Sequence, residues 1–146
     1  MATFYSGNSG RSTGPHLEFR VWDVEKGGYV DPAPFRGYVS SNGQGLNQFS
    51  VTSPYGADRN TYRHQGIDYG VEVGTPFTVN GQYLTTFNDK GGGGITSQYR
   101  INHEGKPFEI LLMHGNDQNS VLSESAVTDD VSLSPVGHVQ GPKPDD

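Results

Sequence analysis

The sequence predicts one compact all-β domain, and three properties of its composition and patterning favour that class. The chain holds 21 Gly and 9 Pro among its 146 residues, and both residue types interrupt helices. Only 32% of the residues are hydrophobic. In short runs they tend to alternate with polar residues, and this period of two residues is typical of a strand. This length suits a single domain with a modest core. We therefore expect an antiparallel sheet or sandwich of short strands joined by many turns.

The runs with strand character follow one another along the chain, separated by turn residues such as Gly, Pro, Asn and Asp. In the first run, Leu17 and Phe19 alternate with Glu18 and Arg20, so that one side of the strand is apolar and the other polar. The most apolar run is the one that ends at Met113. The predicted strands are 17–24, 29–30, 49–52, 67–73, 77–79, 83–87, 99–102, 108–113 and 136–139.

Three segments have compositions that indicate flexibility. Residues 40–48 are rich in Ser, Asn, Gly and Gln and are predicted to form a flexible linker. Residues 91–94 are four consecutive glycines, whose large ordering entropy predicts a mobile loop. Residues 141–146 are predicted to be a disordered tail.

Charge and composition exclude several classes of partner. The net charge of -6 and the pI near 5.2 argue against a nucleic-acid-binding surface, which would be basic. The absence of cysteine excludes disulfides and cysteine-ligated zinc. No apolar run approaches the roughly 18 to 20 residues that span a bilayer, and residues 1–10 do not resemble a secretory signal. We therefore expect no nucleic-acid or membrane partner. Cytoplasmic synthesis, with release by lysis or packaging in a phage virion, is the favoured localisation. The oligomeric state stays open.

Three short segments carry side chains suited to binding a metal. In extended backbone, residues at i and i+4 project from the same face, so His64 and Asp68 can converge. By the same geometry His16 and Glu18, at i and i+2, share a face, and His114 ends the most apolar strand. Each pattern also has an ordinary structural explanation. The alternatives are a surface histidine near a turn aspartate, the polar side of an amphipathic strand, and a histidine at the rim of a sheet.

Taken together, these segments resemble the lysostaphin-like peptidoglycan endopeptidases. The stretch Ser12-Thr13-Gly14-Pro15-His16-Leu17-Glu18-Phe19 is similar to the family signature S-T-G-P-H-L-H-F. Further family blocks are matched by Val30-Asp31-Pro32, Thr52-Ser53-Pro54-Tyr55-Gly56, His64-Gln65-Gly66-Ile67-Asp68, Gly74-Thr75-Pro76 and Leu112-Met113-His114. Any one block is weak, but their joint occurrence is specific. The resemblance implies the β fold of that family.

The blocks occur in a different order from that of the family. Residues 1–39 resemble the C-terminal part of a family domain, and residues 49–140 resemble its N-terminal and central part. Residues 40–48 would then link the two ends of the family domain. This order implies a circular permutation, which is feasible where chain termini lie close together at the surface. A tandem protein cut between two copies would give the same order.

The resemblance also implies a function and assigns roles to individual residues. It implies zinc-dependent hydrolysis of a peptide bond in bacterial peptidoglycan, with His64 and Asp68 as ligands of Zn²⁺. His16 and His114 would flank the attacking water, one as general base and the other as stabiliser of the transition state. Glu18 stands at the position of the third ligand, which is histidine in the family.

The substitution at Glu18 leaves two functional hypotheses open. Carboxylate oxygen is a zinc donor, but two carboxylates would neutralise the charge of the ion and weaken its Lewis acidity. The site would then hold zinc, hold a harder divalent metal such as manganese, or hold none. In the first two cases the chain is a metallo-endopeptidase. In the last it is a catalytically degenerate domain that serves as a cell-wall-binding or structural module, for example in a phage virion.

Overall fold

A computed structural model describes residues 2–119, and in this part of the chain the fold is all-β, as predicted. The strands are β1 (Thr3–Tyr5), β2 (Leu17–Asp23), β3 (Gly28–Val30), β4 (Val39–Ser41), β5 (Gln44–Gly45), β6 (Val51–Ser53), β7 (Ile67–Tyr69), β8 (Pro76–Val79), β9 (Gln82–Asp89), β10 (Gly94–His103) and β11 (Lys106–Gly115). Short 3₁₀ helices span Ala33–Tyr38, Leu46–Gln48 and Asp117–Asn119. No helix among these residues has the length and apolar character needed to cross a membrane.

The strands form two antiparallel sheets. The smaller sheet has the order β1-β8-β4-β5. The larger has the order β6-β7-β2-β11-β10-β9, with β3 paired to the second half of β2. Strand β2 therefore lies in the middle of the larger sheet, between β7 and β11.

The hydrophobic core lies between the two sheets. Strand β2 contributes Leu17, Phe19 and Val21, and β8 of the smaller sheet contributes Phe77 and Val79, all with no solvent exposure. Successive side chains of a strand point to opposite faces, so the alternation seen in the sequence of β2 sends its apolar half into this core. The polar half, which includes Glu18, faces the other side of the larger sheet. The predicted strands at 17–24 and 108–113 are thus confirmed.

The segment 40–48, predicted to be a flexible linker, is ordered, and that prediction is corrected. It comprises most of β4, the turn Asn42-Gly43, β5 and a 3₁₀ helix in which Leu46 is fully buried. Both turn residues have positive φ, 49° at Asn42 and 83° at Gly43, as the commonest two-residue hairpin turn requires. The polar composition reflects a tight hairpin, and one buried leucine holds that hairpin on the core.

The glycine run 91–94 is also ordered, contrary to the prediction of a mobile loop. Gly92, Gly93 and Gly94 are buried under the turn that contains Gly10. A Cβ at Gly10 would lie 2.5 Å from the carbonyl oxygen of Gly92 and 2.4 Å from the nitrogen of Gly94. The glycines therefore serve a close approach of two backbone segments. The predicted strand 136–139 and the predicted tail 141–146 lie outside the described residues.

Candidate metal centre

The register of the larger sheet explains why the predicted site residues meet. On β2, Glu18 is paired with Asp68 of β7 on one side and with Met113 of β11 on the other. Residues paired across neighbouring strands project from the same face, so Glu18 and Asp68 point together. His114 directly follows Met113, and His16 lies two residues before Glu18.

The structure brings all five predicted residues into one cluster. The ligand atoms of Glu18, His64 and Asp68 lie within 4.8 Å of one another. Those of His16, Glu18 and His114 satisfy the same limit. Each spacing was weak evidence by itself, but the structure brings these residues together. Glu18 belongs to both groups.

His64 and Asp68 form the part of the cluster on the side of β7. His64 is 1% exposed, and its Nε2 lies 3.1 Å from Oδ1 of Asp68. A small hairpin orients the histidine, because its backbone nitrogen donates to the carbonyl of Ala57 and its carbonyl accepts from Gly56. Nδ1 of His64 is buried and has no hydrogen-bond partner in the described part of the chain. Nε2, which faces Asp68, is the ring nitrogen placed to bind a metal together with that carboxylate.

His114 is held at the opposite side of the cluster by an unusual backbone conformation. Its φ is +65°, a region that residues other than glycine adopt at a cost of about 1–3 kcal/mol and that clusters at functional sites. Its backbone nitrogen donates to the carbonyl of Gly93. In the ring, Nδ1 donates to the carbonyl oxygen of Ser9 at 2.7 Å, and Nε2 lies 3.0 Å from Oε1 of Glu18.

His16 lies at the rim, with 16% of its side chain exposed. Its Nδ1 is 2.9 Å from the carbonyl oxygen of Gly14 and 3.1 Å from Oγ of Ser12. Because a carbonyl can only accept, Nδ1 carries a hydrogen and Nε2 is directed into the cluster, 3.9 Å from Oδ1 of Asp68. The rings of His16 and His114 are 4.4 Å apart between centroids.

Two arginines that the sequence reasoning did not assign to the site bind its carboxylates. Nε of Arg20 donates to Oε2 of Glu18 at 2.5 Å, and neither side chain is more than 2% exposed. The rule that placed His16 and Glu18 on one face of a strand also places Arg20 there, so this contact was within reach of the sequence. Nη2 of Arg59 donates to Oδ2 of Asp68 at 3.3 Å and to Oγ of Ser53 at 3.1 Å. Arg59 lies in the 56–64 hairpin, and no strand periodicity points to it.

These contacts determine the charge of Glu18. Burial alone would raise the pKa of this carboxyl, but the Arg20 guanidinium and the hydrogen bond from His114 outweigh it, with a smaller contribution from the charge of His64. Together they hold the pKa of Glu18 well below its ordinary range. The side chain is therefore a carboxylate at neutral pH.

The cluster offers donors of the kind that zinc and related divalent metals take from proteins, namely imidazole nitrogen and carboxylate oxygen. Four donors at about 2.1 Å from one ion lie about 3.4 Å from each other. The His64–Asp68 and His114–Glu18 pairs, at 3.1 and 3.0 Å, are already near that separation. The residues present therefore fit a divalent metal.

The other histidine of the described chain is not part of this cluster. His103 packs on Phe35, and its Nδ1 meets the hydroxyl of Tyr38 at 3.0 Å, so it serves as a matched control for substitutions.

Comparison of the chain with protein-family models, with curated proteins and with solved structures finds no match.

Proposed function

We propose that the chain is a metal-dependent endopeptidase of the lysostaphin-like type, in circularly permuted order, that hydrolyses peptide bonds of bacterial peptidoglycan. The observation that supports this most is the meeting of His16, Glu18, His64, Asp68 and His114 in one cluster around Glu18. These residues come from separate parts of the chain, and the motif resemblance assigned a role to each of them. A purely structural sheet has no need of three buried or half-buried histidines around two carboxylates.

The ligands in this proposal are His64, Asp68 and Glu18, and Zn²⁺ is the metal. A bound zinc ion supplies a water of lowered pKa and polarises the scissile carbonyl. Side chains of the protein do the rest. His16, at the solvent-facing rim with its Nε2 directed inward, accepts the proton of the attacking water. His114, whose ring is fixed by Ser9, donates a hydrogen bond to the developing oxyanion.

The two arginines offset the carboxylate charges that would otherwise neutralise the charge of the metal. Arg20 binds one oxygen of Glu18, and Arg59 binds one oxygen of Asp68. Each guanidinium offsets one negative charge, so the carboxylates and their arginines sum to zero. The ion would then keep its positive field at the scissile carbonyl, which favours hydrolysis.

The same ion pairs also favour a second candidate, a catalytically degenerate domain that acts as a cell-wall-binding or structural module, for example in a phage virion. Glu18 with Arg20, and Asp68 with Arg59, are charge-paired without any metal. A buried cluster satisfied in this way needs no cation to be stable. Metal binding therefore decides between the two candidates.

The test combines metal content with turnover. Purified untagged protein, dialysed against trace zinc, is assayed for bound metal and for lysis of bacterial cell walls, beside Glu18→Gln, His64→Gln and the control His103→Gln. The peptidase proposal expects about one metal or more per chain and lysis by wild type and by His103→Gln. It expects lysis to fall at least tenfold in the two site variants, and each of them to bind less metal than wild type, since each loses a ligand.

A double variant tests the degenerate candidate. Glu18→His restores the family's ligand but removes the carboxylate that binds Arg20, so it is paired with Arg20→Met. Lysis that appears only in this double variant would identify wild type as a disabled site. Neither metal nor lysis in any folded variant would remove the peptidase proposal.

A further inference from the structure

We infer that the cluster contains a second metal-binding position, formed by His16, Glu18 and His114 and called here the two-histidine position. It is distinct from the first position, formed by His64, Asp68 and Glu18, and shares Glu18 with it. The inference goes beyond the proposed peptidase activity, because it makes ligands of the two histidines that the family resemblance treats as general base and stabiliser.

The donor set of the two-histidine position is the first argument. Two imidazoles and one carboxylate are the protein ligands of many catalytic zinc sites. The three ligand atoms lie within 4.8 Å of one another, and one pair, Nε2 of His114 and Oε1 of Glu18, is 3.0 Å apart. The same limit bounds the ligand atoms of the first position.

The orientation of the two rings is the second argument. Both histidines use Nδ1 for a backbone carbonyl, that of Gly14 for His16 and that of Ser9 for His114. Such an outer partner fixes the ring of a metal-binding histidine and leaves Nε2 as the donor atom. The two Nε2 atoms therefore face the same space beside Glu18, with their orientation set before any ion arrives.

The contact between His114 and Glu18 is the third argument. Nδ1 of His114 already donates to a carbonyl, so Nε2 of the neutral ring carries a lone pair, and Oε1 of the carboxylate carries lone pairs as well. These two atoms are 3.0 Å apart, near the separation of about 3.4 Å between donors that share one tetrahedral ion. A divalent metal bound between them would gain His16 as a further ligand.

Repulsion between two bound metal ions predicts that the two positions fill one after the other. With both positions filled, two dications share one cluster and one bridging carboxylate, as in two-metal hydrolases. The repulsion between them makes the second equivalent bind more weakly, and at separations of about 4 Å we expect at least a tenfold difference in dissociation constant. Arg20 weakens the second binding step further, because it binds Oε2 of Glu18 and so leaves that oxygen less available to bridge two ions.

The test is zinc titration of the chelator-treated full chain, measured by calorimetry and by zinc content after equilibrium dialysis. We expect two equivalents for wild type and for His103→Gln, and one equivalent for His16→Gln and for His64→Gln. His16 is the safer variant of the new position because it is half-buried at the rim, whereas His114 is fully buried. Circular dichroism of the metal-free variants verifies that each has folded.

A readout on the unaltered protein accompanies the titration. Nitrogen NMR of labelled wild type follows the Nε2 resonances of His16 and His114, which shift when a metal binds to those nitrogens. Shifts of both that develop with the second equivalent support the two-histidine position. A single equivalent that is lost in His64→Gln, with both resonances unmoved at excess zinc, overturns it. Wall lysis retained in that case leaves the proposed peptidase standing.

The reverse pattern separates the two proposals further. A single equivalent that is lost in His16→Gln but kept in His64→Gln would support the two-histidine position and contradict the ligand set of the proposed peptidase. Failure of wild type to bind any zinc at saturating concentration would overturn both.

Discussion

Oε1 of Glu18 lies 3.0 Å from Nε2 of His114, although the two residues are 96 positions apart in the chain. Two neighbouring strands account for this: β2 carries Glu18, β11 carries His114, and their register pairs Glu18 with Met113, the residue before His114. Because Asp68 is paired with Glu18 from the other side, one carboxylate is central to the cluster. Substitutions around Glu18 therefore test the whole site.

Gly66 is expected to be essential for the position of Glu18. A Cβ there would lie 2.7 Å from Cγ of Arg20 and 2.8 Å from the carbonyl oxygen of Phe19, and the backbone oxygen cannot move aside. We expect Gly66→Ala to lower the free energy of unfolding by about 1–3 kcal/mol and to weaken zinc binding. Urea denaturation and zinc titration measure the two effects. The control is Gly37→Ala, where nothing lies within 4 Å of the added atom, and equal stability losses at both sites would contradict the argument.

The buried ion pair between Arg20 and Glu18 is expected to be strongly coupled. Removing one partner leaves a buried charge uncompensated, which costs about 3–5 kcal/mol. Arg20→Met should therefore destabilise the metal-free protein by that amount, and adding Glu18→Gln should recover part of the loss. A double-mutant cycle in urea measures the coupling. Additive effects of the two changes would mean that the 2.5 Å contact carries no net interaction.

Arg59 is expected to orient Asp68 as a metal ligand without binding the metal itself. Its Nη2 binds Oδ2 of Asp68, which leaves Oδ1 directed at His64 and His16. Loss of an outer-shell partner of this kind weakens metal binding by roughly 10- to 100-fold, so Arg59→Gln should do so in a zinc titration. Arg63→Gln is the matched control, since Arg63 lies in the same hairpin but donates to the carbonyl of Gly56. A similar loss of affinity in both variants would point to the hairpin as a whole.

The ordered hairpin at 40–48 gives a test of the fold. Gly43 has a φ of +83°, which a residue with a Cβ adopts only at a cost of about 1 kcal/mol. Gly43→Ala should lower stability by that amount in urea denaturation, whereas Ser50→Ala, outside the turn, should not. A flexible linker would tolerate both changes equally.

Much of the fold was predictable because the strand pattern is local. The alternation in residues 17–24 and the apolar run 108–113 depend only on which side chains face the core, and both strands are found. The hairpin at 40–48 was missed because its polar composition is typical of a linker. The dipeptide Asn42-Gly43, which is typical of a hairpin turn, was the one short feature that indicated the true structure. The glycine run 91–94 was misjudged because its role depends on Gly10, a contact between distant segments that composition cannot show.

The candidate site was predictable to the extent that its residues lie in motifs with fixed spacing. All five residues singled out from the sequence lie in the cluster. Arg20 was missed, although its spacing from Glu18 predicts a shared face, because a guanidinium is not a metal donor. Arg59 was not predictable, since its approach to Asp68 depends on how the 56–64 hairpin folds back.

Tyr99 gives a prediction for alkaline pH. Its side chain is 1% exposed in the core between the sheets, and burial raises the pKa of the phenol above its ordinary value near 10, with a smaller opposing effect from Ser97. The unfolded chain therefore loses this proton at lower pH than the folded chain does. The stability that Tyr99 contributes is complete below about pH 10 and is lost as the pH rises towards the folded pKa.

Tyr99→Phe keeps the ring and removes the ionisable group. We expect the variant to match wild type in stability within about 1 kcal/mol at pH 8, and to unfold at a higher pH than wild type in an alkaline titration followed by circular dichroism. Tyr83→Phe is the control, because Tyr83 contacts Tyr99 edge to face but is 43% exposed. An unchanged alkaline midpoint in Tyr99→Phe, or an equal shift in both variants, would show that another group governs unfolding at high pH.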